Sequence, residues 1–202
     1  MVYTILEGET LAASTTYQGQ LRGCDIDHIG IQIRQADHSD SMTFAESQTC
    51  TVDISVRRTT EDGGREDIMI CESARVEDLA KYTNSNHGIG QLPGTNNPTK
   101  IHCWIPTGRL VLKGSDELIL TIKTGAIGTI NSGSVYAYAY NLDDEDSPIM
   151  RYISFNAQDN ISFNDVVELY SAGVSGAGAA GNTYHLNFGD GQKAIPDYSG
   201  EI

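Results

Sequence analysis

The chain has 202 residues, 39% of them hydrophobic, so it is long and apolar enough for a globular domain and is not a disordered segment. It carries 27 acidic and 13 basic residues and a net charge of −14, which excludes general binding to phosphate backbones and docking on anionic lipid. Its 21 glycines and the rarity of helical periodicity favour an all-β class with many turns.

Alternating apolar side chains mark the strands of the first half of the chain. Residues 2–6 are a short apolar start that we expect to turn at residues 8–10, and residues 15–21 are a predicted strand. Segments 28–34 and 51–57 alternate regularly, with Ile or Val at every second position, which is the pattern of a half-buried antiparallel strand.

One short helix and two long surface connections are predicted between the strands. Residues 73–82 are the helix candidate, because Ser73 can cap it and apolar residues follow at helical spacing. The polar segment 36–48 and the Asn-, Gly- and Pro-rich segment 84–99 are predicted connections on the surface.

The central stretch 101–141 predicts consecutive strands separated by turns. We expect residues 106–108 to break one strand pair and residues 113–116 to break another. Residues 117–123 alternate Leu and Ile with polar side chains and complete the predicted core. The predicted core residues from the three regularly alternating strands are Ile29, Ile31, Ile33, Val52, Ile54, Val56, Leu118, Leu120 and Ile122.

A stripe of tyrosines follows. Tyr136, Tyr138 and Tyr140 fall on one face of a predicted strand, with small residues on the other. Tyrosine offers apolar area with a polar tip, so the stripe suits packing, a subunit contact or the stacking of sugars. We predict packing or a subunit contact first and a sugar platform second.

The C-terminal region changes composition sharply. Residues 161–170 fit a helix or a strand, and we predict a strand because their neighbours are strands. The Gly/Ala run 173–181 has little to bury and is typical of a flexible linker. It matches GxGxxG, but a dinucleotide site needs a helix directly after this motif, and no helix can form there before the chain ends.

Residues 183–188 are predicted as a strand and residues 195–202 as an irregular tail. The C-terminal segment contains Tyr184, Phe188 and Tyr198, whose apolar area needs another surface to pack against. We therefore predict an arm that becomes ordered on another subunit.

The predicted organisation is one domain over residues 1–171, a linker over residues 172–181 and an arm over residues 182–202. About eight to ten short strands predict an all-β fold, a single jelly roll or β-sandwich with one short helix and an extended C-terminal arm.

Motifs that carry chemistry are missing from the sequence. The five histidines are scattered, and neither His-x-His nor GxSxG occurs, so we predict no enzyme activity and no cofactor. Asp143, Asp144 and Asp146 are a weak calcium candidate, because they lack the spacing that wraps a loop around the ion, and a solvated turn is favoured. The four cysteines form no CxxC and no secretory signal precedes them, so we expect reduced, buried thiols of a protein folded in cytosol.

Several sequence segments resemble segments of jelly-roll capsid proteins, major or minor, of tailless icosahedral viruses of bacteria and archaea. They are residues 8–11 with 21–23 and the strand 28–34, residues 106–110 with 114–118 and 122–125, and the strand of residues 132–140. The resemblance covers about two-thirds of the chain as a pattern of strands and turns.

The resemblance implies a non-enzymatic virion structural protein that self-assembles into, or decorates, an icosahedral capsid shell. The implied partners are further copies in a homo-oligomer and other capsid proteins, with membrane contact only through an internal viral vesicle. The implied location is the virion, assembled in the host cytoplasm. The alternative is a carbohydrate- or receptor-binding jelly-roll module, lectin-like or a spike domain.

Overall fold

The computed structural model describes residues 1–35, 49–60, 62–76, 79, 100–127, 133–147, 152–153, 183–188 and 191–196. The chain divides into two compact units, Met1–Ser154 and Phe155–Ile202. The strands of these ranges are β1 Val2–Thr10, β2 Thr16–Arg22, β3 Asp25–Gln35, β4 Thr51–Thr59, β5 Arg65–Arg75, β6 Lys100–Val111, β7 Glu117–Lys123, β8 Gly133–Tyr140, β9 Tyr152–Ile153, β10 Thr183–Phe188 and β11 Gly191–Pro196.

The first unit contains two sheets whose strands pair in a nested order. One sheet has the order β1-β8-β3-β6 and the other β2-β7-β4-β5-β9. The first strand therefore pairs with the eighth, the second with the seventh, the third with the sixth and the fourth with the fifth, all antiparallel. This is the strand order of an eight-stranded jelly roll, to which the short β9 adds a parallel pair with β5. The predicted all-β jelly roll is confirmed.

The core contains the side chains that the alternation pattern predicted. Every one of the nine predicted core residues is at most 2% exposed. Ile54 and Leu120 are register partners on the neighbouring strands β4 and β7 and are both fully buried. The opposite sheet contributes the small residues of β8, Val135, Ala137 and Ala139, which are also fully buried.

Two expected turns lie inside strands instead. The turn predicted at residues 8–10 is part of β1, where Gly8 has φ 73° and the register shifts between Glu7 and Glu9. The break predicted at residues 106–108 is part of β6, where the pairing with β3 shifts register and Gly108 has φ 63°. Both predictions were wrong for the same reason, since Gly and Pro mark bulges in strands as well as turns.

The helix prediction was wrong at its start. Ser73 lies in β5 with φ 47°, and its amide donates a 2.7 Å hydrogen bond to Asp53 on β4, so it does not cap a helix. The helical residues that the structure describes are Val76 and Leu79, both buried. The other residues of the predicted helix after Arg75 lie outside the described residues. The same holds for the connections 36–48 and 84–99 and for the segment 161–170. In the ranges that are described, no helix is long and apolar enough to cross a membrane.

The cysteines are reduced and buried, as the sequence predicted. None of the four cysteines forms a disulfide, and all four are buried. The Cys103 thiol donates to the Val76 carbonyl at 3.3 Å, and burial raises the pKa of both Cys71 and Cys103. These groups act as small core residues and are not poised as nucleophiles.

The second unit contains an antiparallel hairpin. β10 pairs with β11 from Thr183 opposite Pro196 to Phe188 opposite Gly191. The predicted strand 183–188 is confirmed, whereas Ile195 and Pro196 belong to β11 and not to an irregular tail. The linker 172–181 lies outside the described residues, so the boundaries at 171 and 181 stay predictions.

Candidate functional site

The outer face of the sheet β1-β8-β3-β6 carries a group of aromatic side chains that we call the aromatic face. It consists of Tyr136, Tyr138 and Tyr140 on β8, Trp104 on β6, and His28 and Gly30 on β3. The tyrosines alternate with buried small residues and are partly exposed, as the sequence predicted. Register places Tyr138, Gly30 and Trp104 side by side across three strands.

Gly30 makes room for the rings around it. A Cβ at Gly30 would lie 3.0 Å from Tyr140 Cε2 and 3.5 Å from the Trp104 ring. The Trp104 and Tyr140 rings lie 4.7 Å apart, and His28 stacks on Trp104 at 5.1 Å. Burial raises the pKa of the Tyr140 hydroxyl, and the neighbouring Tyr138 raises it further. The rings therefore form a packed cluster at one end of the aromatic face.

Two tyrosines at the other end stand nearly parallel. The Tyr136 and Tyr138 rings have centroids 6.3 Å apart and planes 16° apart. Tyr136 also lies over Gly8 of β1, since a Cβ there would be 3.4 Å from the Tyr136 ring. Aromatic rings that cover strand glycines stabilise the sheet, so part of this stripe has a structural role.

The acidic turn after β8, residues 141–147, is anchored by a buried carboxylate of β3. Asp27 is 3% exposed, and its Oδ2 accepts hydrogen bonds from the amides of Leu142 at 2.8 Å and Asp144 at 3.0 Å. The Asp27 carbonyl accepts a further bond from the Ser147 hydroxyl at 2.8 Å. Burial alone would raise the pKa of Asp27, but its hydrogen bonds to His28 and to the turn amides outweigh burial and lower it.

His28 lies between two carboxylates. Its Nδ1 is 2.9 Å from Asp27 Oδ1, and its Nε2 is 3.7 Å from Asp144 Oδ2. Because Asp27 is held ionised, the geometry favours a proton on Nδ1 donated to that carboxylate. The pair fixes the ring against Trp104 and ties the acidic turn to the aromatic face.

Of the three calcium candidates, Asp144 has its carboxylate engaged by contacts to Asp146 and His28. Asp144 Oδ1 accepts the amide of Asp146 at 3.1 Å, and its Oδ2 faces His28. Asp143 has φ 56° and is exposed. Across the described residues, no group of three His, Cys, Asp or Glu side chains is gathered to hold a metal ion. A calcium site here stays a prediction that no described contact supports.

The other interface candidates lie in the second unit. Tyr184 and Phe188 belong to β10, and Tyr198 lies outside the described residues.

The outer face of the opposite sheet has a different character. Arg22, Glu117, Arg57 and Asp67 are register partners across β2, β7, β4 and β5, so the charge alternates from strand to strand. Arg22 donates to Glu117 at 2.7 Å, and Arg57 donates two bonds to Asp67 at 2.8 and 3.0 Å. The hydrogen bond from Arg57 lowers the pKa of Asp67. The charges of this face are thus paired with one another, while the other sheet presents rings.

Similarity to known proteins is found among solved structures. No family model matches the chain, and no curated protein matches it. Among solved structures, the chain is similar to the crystal structure of the STIV major capsid protein, a jelly-roll capsid protein of an archaeal virus, with 17% sequence identity and a TM-score of 0.48. The match covers 68% of this chain and 46% of that chain, so the chain spans about half the length of that protein.

Proposed function

We propose that the chain is a virion structural protein that assembles with copies of itself, and with other capsid proteins, into or onto an icosahedral shell. The nested strand order is the observation that carries this proposal, because capsid proteins, lectin domains and cupins share that architecture. The metal-binding cluster of a cupin has no counterpart among the described residues. A fold does not by itself imply a function, so the contact surfaces have to decide between these uses.

The surfaces favour assembly over ligand chemistry. His28 of the aromatic face and the adjacent Asp27 are buried and hydrogen-bonded to each other, and Asp27 also accepts amides of the acidic turn. Trp104 and Tyr140 pack on one another. What this leaves toward solvent is a patch of partly exposed rings, and tyrosine and tryptophan are enriched in the centres of protein interfaces.

The second candidate is a carbohydrate-binding module. The nearly parallel Tyr136 and Tyr138 rings favour it, because sugar rings stack on exposed aromatic faces. Binding of immobilised glycans that is lost in Tyr138→Ala, with particle formation intact, would favour this candidate over assembly.

The arm is tested by truncation. A chain ending at Ala172 lacks the β10–β11 hairpin, and we expect it to fold with a similar melting temperature but to fail to assemble. Light scattering of the intact and shortened chains, side by side at equal concentration, measures this. Equal assembly of the shortened chain, or its failure to fold, would show that residues 173–202 are not an assembly arm.

A further inference from the structure

We propose that the end of the aromatic face beside the acidic turn docks an arginine-rich segment of a partner protein, with apolar residues between its arginines. This inference rests on the proposed assembly role and gives the chemistry of another protein that the candidate interface would bind. Its basis is the combination of exposed aliphatic side chains, partly exposed rings and exposed carboxylates at one end of one sheet.

Large apolar side chains are exposed to solvent at this end of the sheet. Val2 on β1 is the register partner of Tyr140 on β8 and is 58% exposed. Leu142 lies in the acidic turn, two residues after Tyr140, and is 53% exposed. Its amide donates to the buried Asp27 at 2.8 Å, so its backbone is held in place. Exposed apolar groups with a polar rim are typical of sites that bind another molecule.

The described charges around this apolar area are mainly acidic. The acidic turn presents three exposed carboxylates, Asp143, Glu145 and Asp146. Glu7, the register partner of Tyr136 on the outer side of the sheet, is exposed as well. Arg109 is an exposed cation of β6, and the Met1 ammonium donates to the Asn141 carbonyl at 2.6 Å. The acidic groups outnumber these cations, so the area attracts a basic partner and repels a second copy of a chain with a net charge of −14.

A guanidinium group suits both the rings and the carboxylates. It stacks on the faces of Trp and Tyr, it binds carboxylates with two hydrogen bonds, and it is more weakly hydrated than an ammonium group. His28 brings the two kinds of group together, because it stacks on Trp104 at 5.1 Å while its Nε2 lies 3.7 Å from Asp144 in the turn. One short segment can therefore contact the rings and the turn at once, and its apolar residues can cover Val2 and Leu142.

Binding of synthetic peptides to the 202-residue chain tests the proposal. Trp104 is the only tryptophan of the chain and is partly exposed on the aromatic face, so its fluorescence reports an occupant there. The probe is a short peptide that repeats Arg-Leu-Ser and contains no aromatic residue. At about 0.15 M salt, where the Debye length is about 8 Å, we expect a saturable change in Trp104 fluorescence. The same peptide with Lys in place of Arg should bind at least about threefold more weakly. The peptide with Glu in place of Arg should not bind.

Two variants with matched controls locate the binding site of the peptide. Glu145→Lys should weaken binding about five- to tenfold, whereas Glu66→Lys, an exposed position on β5 of the other sheet, should change it less than about twofold. Leu142→Ser should weaken binding about threefold or more, whereas Ile68→Ser, at a side chain of β5 that is 42% exposed, should leave it unchanged. Thermal melts establish that each variant is folded.

The absence of a saturable response to the Arg peptide, or equally tight binding of the Lys peptide, would overturn the proposal. Equal losses in Glu145→Lys and Glu66→Lys would also overturn it, because attraction to net charge alone gives that result. A wild-type dimer that excludes the peptide would assign the face to a second copy instead. Particle formation by the wild-type chain measures the assembly role separately. Particles without peptide binding would reject this docking site and leave the assembly role in place.

Discussion

Replacing Leu120 with Ala is expected to lower the free energy of unfolding by about 2–5 kcal/mol, as for other fully buried leucines. Leu120 is fully buried on β7, between Gly19 of β2 and Ile54 of β4. Truncation removes its packing and leaves a cavity that flanking strands cannot close without losing register. Urea unfolding of the variant and of wild type measures the difference.

The matched control for this change is the next residue of the same strand. Thr121 points to the other side of the sheet and is partly exposed, so Thr121→Ala should change the free energy of unfolding by about 0.5 kcal/mol or less. Equal costs at Leu120 and Thr121 would contradict the register of the central strands.

Replacing Asp27 with Asn is expected to cost about 3 kcal/mol at neutral pH, because it removes a buried charge and leaves at least one buried donor without its acceptor. The carboxylate accepts the amides of Leu142 and Asp144 and binds His28, so the acidic turn depends on it. Asp146→Asn, an exposed substitution in the same turn, is the control and should be close to neutral.

The stabilisation that the Asp27 carboxylate gives the folded protein should be lost at low pH. Its pKa is lowered in the folded protein, so its stabilising contribution is complete above the ordinary aspartate pKa of about 3.9 and is lost as the pH falls through the folded value. The stability difference between wild type and Asp27→Asn should therefore shrink below about pH 4. A difference that grew on acidification would show that the carboxylate is not the anchor.

Local pattern predicted the strands and the core because burial on one face of a strand leaves a period of two in the sequence. Ile54 and Leu120 could be assigned to the core on that basis alone. Their pairing could not, since strand partners are far apart in sequence, as Thr4 and Tyr138 are, and leave no local trace. Bulges at Gly8 and Pro106 resembled turns, because the same residues serve both.

The candidate site was predicted only in part. The tyrosine stripe lies on one strand and its parity is visible in the sequence. The alternation along β6 also places Trp104 on an outer face, so the sequence could have predicted that it belongs to the candidate site. The contacts of Asp27, His28 and Trp104 depend on three strands and a turn meeting, which only the folded chain reveals.

The most direct test of the assembly role is the mass of the purified 202-residue chain under assembly conditions. A net charge of −14 makes copies repel, so assembly should increase as salt screens that repulsion. Analytical ultracentrifugation across a salt and concentration series, with electron microscopy of the fastest fraction, should find closed particles of many copies and uniform diameter. A chain that remains monomeric or dimeric throughout, or forms only open aggregates of random size, would contradict the proposed capsid function.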